Sequence, residues 1–256
     1  MEENLKQQPT EIIKIAMFGP ESTGKTTLTK QLAQHFKTNW TPEFARDYLQ
    51  QKWDTTQQVC EPEDLLPIAI GQTRLENEAL LTANQFLFCD TCLLVTKVFS
   101  EIYYNFCDPV LDKAARKHKY DLFFLTDVDV PWEKDDLRDA PEQREMTFDF
   151  FKKALIDNDK PFITLSGNAE TRLKKSIKII EDLLQAKAMG FTSHDFVQIY
   201  QKGIRLEDIR NHLDIFKHGI AKAILEKPAT KSDGIIKLTE EQFQEFSNYF
   251  DTRKES

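Results

Sequence analysis

Four short apolar runs, each handing over to a stretch of different periodicity, set the rhythm of this chain. Residues 12–18, Ile-Ile-Lys-Ile-Ala-Met-Phe, are β-branched-rich and almost continuously apolar, and residues 85–90, 121–127 and 161–166 share the design. Runs of this length without alternation predict strands buried on both faces. Between them, residues 26–36 place Leu28, Leu32, Ala33 and Phe36 at helical spacing, and residues 42–49 read as a helix start. A longer helical segment is expected from Glu61 to about Ala83, with acids at its positive end and Leu65, Ile68, Leu75, Ala79 and Leu80 among its apolar positions. Residues 146–156 and 169–188 are helical by the same criterion. Strands alternating with helices predict an α/β fold, a parallel sheet covered by helices on both faces. Ligands in such folds sit at the carboxyl ends of the strands, which is where Gly19, Asp90, Asp127 and Gly167 fall.

Beyond Met189-Gly190 the pattern changes. Residues 192–201 and 206–217 predict two short amphipathic helices stopped by Gly203 and Gly219. A turn-rich link over residues 227–234 precedes a last helix, for which Thr239 is the natural N-cap. The expected organisation is a domain over residues 11–188 and a small helical appendage over residues 190–251, docked on that domain or on a second subunit.

With 40% hydrophobic and 30% charged residues, the composition is that of an ordinary soluble globular protein. A net charge of −8 leaves no basic surplus for broad nucleic-acid binding. The first nine residues lack the apolar core of a secretory signal. The best apolar run, residues 86–95, is interrupted by Asp90 and too short to span a bilayer. A cytoplasmic location and no membrane partner are therefore expected. Cys89 and Cys92 have C-x-x-C spacing, but residues three apart on a strand face opposite ways, and no second pair completes a zinc tetrahedron. With Cys60 and Cys107 they read as reduced thiols. The five histidines (His35, His118, His194, His212, His218) show no metal spacing and read as surface or packing residues.

The chemistry concentrates first in Gly19-Pro20-Glu21-Ser22-Thr23-Gly24-Lys25-Thr26-Thr27, which fits G-x-x-x-x-G-K-[ST] at every fixed position. It follows a strand and opens a helix, the context in which the pattern has meaning. Its glycines let successive N–H groups turn inward as an anion nest at a positive helix end. Lys25 would reach the β- and γ-phosphates of ATP, and the Thr26 hydroxyl would ligate Mg²⁺. Asp90, closing its strand, would hold that metal, directly or through water, or take the proton of a substrate hydroxyl; as a plain helix cap it would do neither. Glu43, Arg46 and Asp47 pair acid with guanidinium in a way that suits a polyol or phosphate substrate, and equally a surface ion pair. Residues 127–139 are too acidic and punctuated for a core helix. They read as a lid over ATP, with Trp132 as anchor or platform for a flat ring and Asp136 and Arg138 inside it. Arg144 and Asn168, each near a strand or lid end, complete the candidate ATP-binding set.

The internal Glu-Ser of this loop resembles the ribosylnicotinamide kinase domain of the NadR type. Pro42-Glu43-Phe44-Ala45-Arg46-Asp47-Tyr48, Phe88-Cys89-Asp90-Thr91 and Pro131-Trp132-Glu133-Lys134-Asp135-Asp136-Leu137-Arg138 resemble the same family in the same order. The likeness spans about residues 12–184. It implies a P-loop kinase fold with five parallel strands, and transfer of the ATP γ-phosphate to the 5′-hydroxyl of nicotinamide riboside. By that resemblance Lys25 and Thr26 serve phosphate and Mg²⁺, Asp90 handles the ribose or its reacting hydroxyl, Glu43 and Arg46 line the acceptor site, and Arg138 belongs to the lid. The adenylyltransferase domain that precedes the loop in bifunctional members is not expected in the short stretch before Ile12, so the implied product is NMN. The family's second acid at the strand tip is Cys92 here, and its ring-packing aromatics are Pro42 and Leu75. The implied partner is a small nucleoside; self-association is left open. The tail from about Gly190, through its stretches over residues 203–235, resembles the opening of an uncharacterised bacterial domain of unknown function, which implies no activity.

Overall fold

In the computed structural model, residues 2–130 and 144–206 are described. Contacts divide the chain into two compact units, residues 1–179 and 180–256.

The first unit is built on one parallel sheet. Its strands are β1 (Ile13–Phe18), β2 (Trp40–Thr41), β3 (Phe86–Cys89), β4 (Leu122–Thr126) and β5 (Phe162–Leu165), in the order β2-β3-β1-β4-β5. All four neighbouring pairs run parallel. Each residue of β1, β3 and β4 is buried, so both faces of the sheet are covered and the apolar runs need no alternation. The connecting helices are α1 (Lys25–His35), α2 (Phe44–Thr56), α3 (Leu65–Leu80), α4 (Leu93–Tyr104), α5 (Pro109–Lys117), α6 (Arg144–Asp157) and the start of α7 (Ala169–Ala188). β1 is central, and the chain leaves it for β2 and β3 on one side before crossing to β4 and β5 on the other. The crevice at that reversal is where such sheets bind ligands.

The core on one face centres on Phe18, whose ring meets Phe151 of α6 at 4.9 Å and Phe123 of β4 at 5.8 Å, both edge-on. This packing fixes the end of β1, and with it the loop that follows. Cys89 and Cys92 are free and fully buried; burial pushes the Cys92 thiol up to about 12 and Cys89 up as well. They are inert packing groups.

Three expectations are corrected. The helical segment begins with a separate 3₁₀ turn at Pro62–Asp64, and α3 ends at Leu80. Its buried side carries Gly71, Gln72, Thr73 and Glu76, while Leu75 is only half-buried, because this helix packs α2 and a polar contact rather than a purely apolar face. The apolar run 86–95 comprises all of β3, a turn and the start of α4.

In the second unit, Gly190 (φ +91°) follows the end of α7. α8 (Ser193–Gln201) opens with Thr192 as N-cap: the Asp195 N–H donates to its hydroxyl at 3.1 Å, and the Thr192 N–H donates back to the Asp195 carboxylate at 2.9 Å. Phe196, Val197 and Ile199 are buried. Gly203 (φ +69°) follows it. The expected helices beyond residue 206, and Gly219 and Thr239, lie outside the described residues.

Candidate functional site: a phosphate cradle with an adjoining cleft

β1 delivers the chain to Gly19 at φ +139°, a conformation closed to side chains. A Cβ there would stand 2.6 Å from the Thr126 hydroxyl and 2.9 Å from the Thr126 carbonyl. The loop thus turns hard against the end of β4. The Thr126 hydroxyl donates to the Phe18 carbonyl at 3.2 Å and lies 2.7 Å from the Thr23 hydroxyl. Ser22 (φ +53°) and Gly24 (φ +80°) complete the turn into α1. Among the described residues, the backbone N–H groups of Thr23, Gly24, Thr26 and Thr27 find no hydrogen-bond acceptor. Four open donors at a helix start are a nest for an anion. The Lys25 ammonium folds over the loop, donating to the carbonyls of Gly19 at 2.9 Å and Pro20 at 2.5 Å.

Asp90 follows β3, its N–H tied to the Thr41 carbonyl of β2 at 3.0 Å. It is 3% exposed. Its carboxylate accepts from the Thr26 hydroxyl at 2.6 Å and, more weakly, from Thr29 at 3.4 Å. Burial raises its pKa, opposed by the Thr26 hydrogen bond and the Lys25 charge. Sequence distance of 64 residues is thereby closed by the β1–β3 pairing.

The start of α2 is set by α3. Gln72 accepts from the Phe44 N–H at 2.9 Å and donates to the Pro42 carbonyl at 3.2 Å, and the Phe44 ring fills the space over Gly71. A Cβ on Gly71 would fall 2.2 Å from that ring. Glu43 occupies the N-cap position without capping, which leaves its carboxylate to face elsewhere. It lines, with Arg46 and Leu49 of α2 and Val95 and Phe99 of α4, a cleft of about 370 Å³. The other wall is the loop itself, Glu21 to Leu28, with Gln31 of α1, and Val130, Ala169 and Arg172 also border the cleft. The cleft is the size of a small-molecule site, and polar and charged groups share its lining with apolar ones.

Most sequence-derived residues therefore converge: Glu21, Ser22, Thr23, Gly24, Lys25, Thr26, Thr27, Glu43 and Arg46 share one cleft, with Asp90 behind Thr26. Asn168 does not join them. It is exposed, and its side chain caps α7 by accepting the Thr171 N–H at 2.9 Å. Trp132, Asp136 and Arg138 lie outside the described residues.

Arg144 sits behind the loop, donating to the carbonyls of Val130 at 3.0 Å and Ser22 at 3.3 Å. Burial and the nearby Arg172 charge lower its pKa. Arg172, 3% exposed, was not singled out by sequence. It donates to the carbonyls of Thr23 at 2.5 Å and Asp127 at 2.9 Å and pairs with the Asp129 carboxylate. Asp129 also accepts the Gly167 N–H. Against burial, these two contacts hold its pKa below the usual carboxylate value. The missed signal was electrostatic: an arginine in the first turn of a helix opposes the helix dipole and so calls for partners.

Among known proteins, residues 192–256 match a domain of unknown function (DUF4301). The trifunctional NAD biosynthesis/regulator proteins NadR of Salmonella typhimurium and Escherichia coli K12 are each 24% identical over 180 residues, 69% of this chain and 44% of theirs. The chain thus spans less than half the length of these curated relatives. Of solved structures, a NadR protein in complex with NR aligns with TM-score 0.56 at 22% identity, over 66% of this chain and 50% of that one. A deoxyadenosine kinase of M. mycoides aligns with TM-score 0.51 at 15% identity, over 66% of this chain and 99% of that one. Both show the same α/β P-loop fold. The cradle, Asp90, the Glu43–Arg46 wall and all of the sheet but Ile13 fall within residues 14–172, which match the family model described as AAA domain, and the chain belongs to that family.

Proposed function

We propose that this protein is an ATP-dependent small-molecule kinase that phosphorylates the 5′-hydroxyl of nicotinamide riboside to give NMN. The observation that carries the reading is that the cleft joins two walls of different chemistry. One is the cradle with its open N–H donors; the other is Glu43 and Arg46 on α2. A nucleotide switch needs the first wall and has no use for the second. The similarity to NadR, one relative of which was solved with NR, favours the acceptor.

In this reading the N–H groups of Thr23, Gly24, Thr26 and Thr27 and the Lys25 ammonium grip the phosphates, a task in which positioning and charge do most of the work. Thr26 and Asp90, two hard oxygen donors with their atoms 2.6 Å apart, fit Mg²⁺, which keeps several waters and takes few protein ligands. When bound, the ion would neutralise charge on the phosphates. Glu43 and Arg46 would hold the hydroxyls of the acceptor.

The deoxyadenosine kinase likeness favours a second acceptor, a deoxynucleoside. A panel of ribo- and deoxynucleosides with ATP and Mg²⁺, read by ADP release and by mass of the product, separates the two. Phosphate transfer to nicotinamide riboside is the expected result. Transfer only to deoxynucleosides removes the specific acceptor; ATP turnover indifferent to every small acceptor removes the kinase.

A further inference from the structure

The Ser22–Thr23–Gly24 backbone is gripped by two guanidinium groups, one from each of two helices, and Arg172 also borders the cleft. Arg144 takes the Ser22 carbonyl and Arg172 the Thr23 carbonyl. In a trans peptide the carbonyl and the next N–H point in opposite directions. Drawing these two carbonyls outward therefore turns the N–H groups of Thr23 and Gly24 inward, and those are two of the four open donors of the cradle. Ser22 stands at φ +53°, a conformation that a non-glycine residue does not keep without support.

The other ends of both arginines are anchored to the exit of β4. Arg144 donates to Val130, and Arg172 to the Asp127 carbonyl and the Asp129 carboxylate, which Gly167 N–H steadies in turn. Each arginine also occupies the first turn of its helix, where a positive charge is disfavoured. Packing alone gives no reason to put a guanidinium there. A planar fork that spans two carbonyls does, and a lysine could not span them.

We propose that Arg172, seconded by Arg144, is a positioning residue that sets the loop's affinity for phosphate by fixing the orientation of its peptide planes. The inference rests on reading residues 19–26 as a phosphate cradle. It predicts a dependence on phosphate that a general structural role would not produce.

The test uses the full chain and calorimetric titration with inorganic tripolyphosphate, ATP and adenosine. Wild type is expected to bind tripolyphosphate. Arg172→Lys keeps the charge and loses the fork, and should weaken tripolyphosphate and ATP by about tenfold or more, the usual worth of a charge-assisted hydrogen bond. Adenosine should bind as before. Arg144→Lys, which acts on the adjacent peptide from a half-buried site, should shift the same two ligands in the same direction. Either variant, folded by circular dichroism and binding tripolyphosphate like wild type, overturns the proposal, as does an equal loss for adenosine. If wild type itself ignores tripolyphosphate, the cradle reading falls first and takes the proposal with it.

Discussion

Replacing Gly19 by alanine separates the two reasons a phosphate loop needs glycine. At φ +139° an alanine carries backbone strain of roughly 1–3 kcal/mol. Its Cβ would also stand 2.6, 2.9 and 3.3 Å from the hydroxyl, carbonyl and amide nitrogen of Thr126. Two of those three atoms are backbone, so the end of β4 must move, at an overpacking cost of about 1–3 kcal/mol. Together, Gly19→Ala should lose roughly 2–6 kcal/mol. Gly24→Ala provides the contrast: φ is +80°, but nothing lies within 4 Å of its Cβ, so only strain remains, about 1–2 kcal/mol. All three tryptophans (Trp40, Trp53, Trp132) fall in the first unit, so urea unfolding followed by tryptophan fluorescence reads that unit alone. The collision can be relieved in part. Thr126→Ala in the Gly19→Ala background should cost less than the two single changes summed, by about 1 kcal/mol, since the nearest clashing atom is gone. Equal losses for Gly19→Ala and Gly24→Ala, or strict additivity with Thr126→Ala, would show that contact with β4 does not dictate the glycine.

Asp90→Asn should lose phosphoryl transfer by about 100-fold or more while keeping affinity for ATP without magnesium, checked by steady-state kinetics and titration. Because burial raises the native pKa of Asp90, the folded state binds more protons than the unfolded one as pH climbs from the unfolded carboxylate value to the native value. Stability attributable to this group therefore falls across that window and stays lower above it. Asp90→Asn should flatten that part of a melting-temperature profile, and a profile that steepens instead contradicts the burial argument. Gly71→Ala drives a Cβ to 2.2 Å from the Phe44 ring and should cost about 1–3 kcal/mol, with KM for the acceptor raised more than KM for ATP; the reverse order would detach α2 from the acceptor wall. Glu43→Gln should raise the acceptor KM with little change for ATP, measured by varying each substrate in turn. Lys25→Ala should abolish ATP binding by calorimetry.

How much of this was legible depended on whether a run of sequence spoke for one element or two. β1, β3 and β4 announced themselves because strands buried on both faces leave uninterrupted apolar runs, and β5, buried at alternate positions only, was still bounded by its short apolar run. α7 and α8 were equally plain, since helical periodicity is local. β2 left no trace: its two residues, Trp40 and Thr41, pair with Phe88 and Cys89 only, and pairing is not written in a dipeptide. α4 was hidden by its own burial. Leu93, Leu94, Val95 and Val98 continue the apolar run of β3, so the boundary at Cys92 could not be heard in the pattern. In the site, the loop, Asp90 and the Glu43–Arg46 pair were readable from spacing and strand ends. Asn168 was placed by the same logic and turned out to cap a helix, the commoner use of an asparagine in that position.

Arg172 shows why strand-end reasoning alone falls short. Within Ala169-Glu170-Thr171-Arg172-Leu173-Lys174-Lys175 it looks like one more solvated cation on an amphipathic helix. Yet Lys174, two positions on, is exposed and pairs with Glu170 on its own helix, whereas Arg172 is buried among carbonyls from two other segments. The difference lies in what stands opposite each residue. β1 and β4 are neighbours, so their exits, the loop and Asp127–Val130, lie side by side, and the first turn of α7 comes down from β5 onto both. Strand exits end in carbonyls that no sheet partner satisfies, and a phosphate loop adds more by turning its N–H groups the other way. A cation that costs something at a helix start becomes favourable where such carbonyls collect. The same account covers Arg144 on α6, which reaches the same segments from a different helix. Charges placed against the helix dipole beside a glycine loop therefore mark where the loop's carbonyls go.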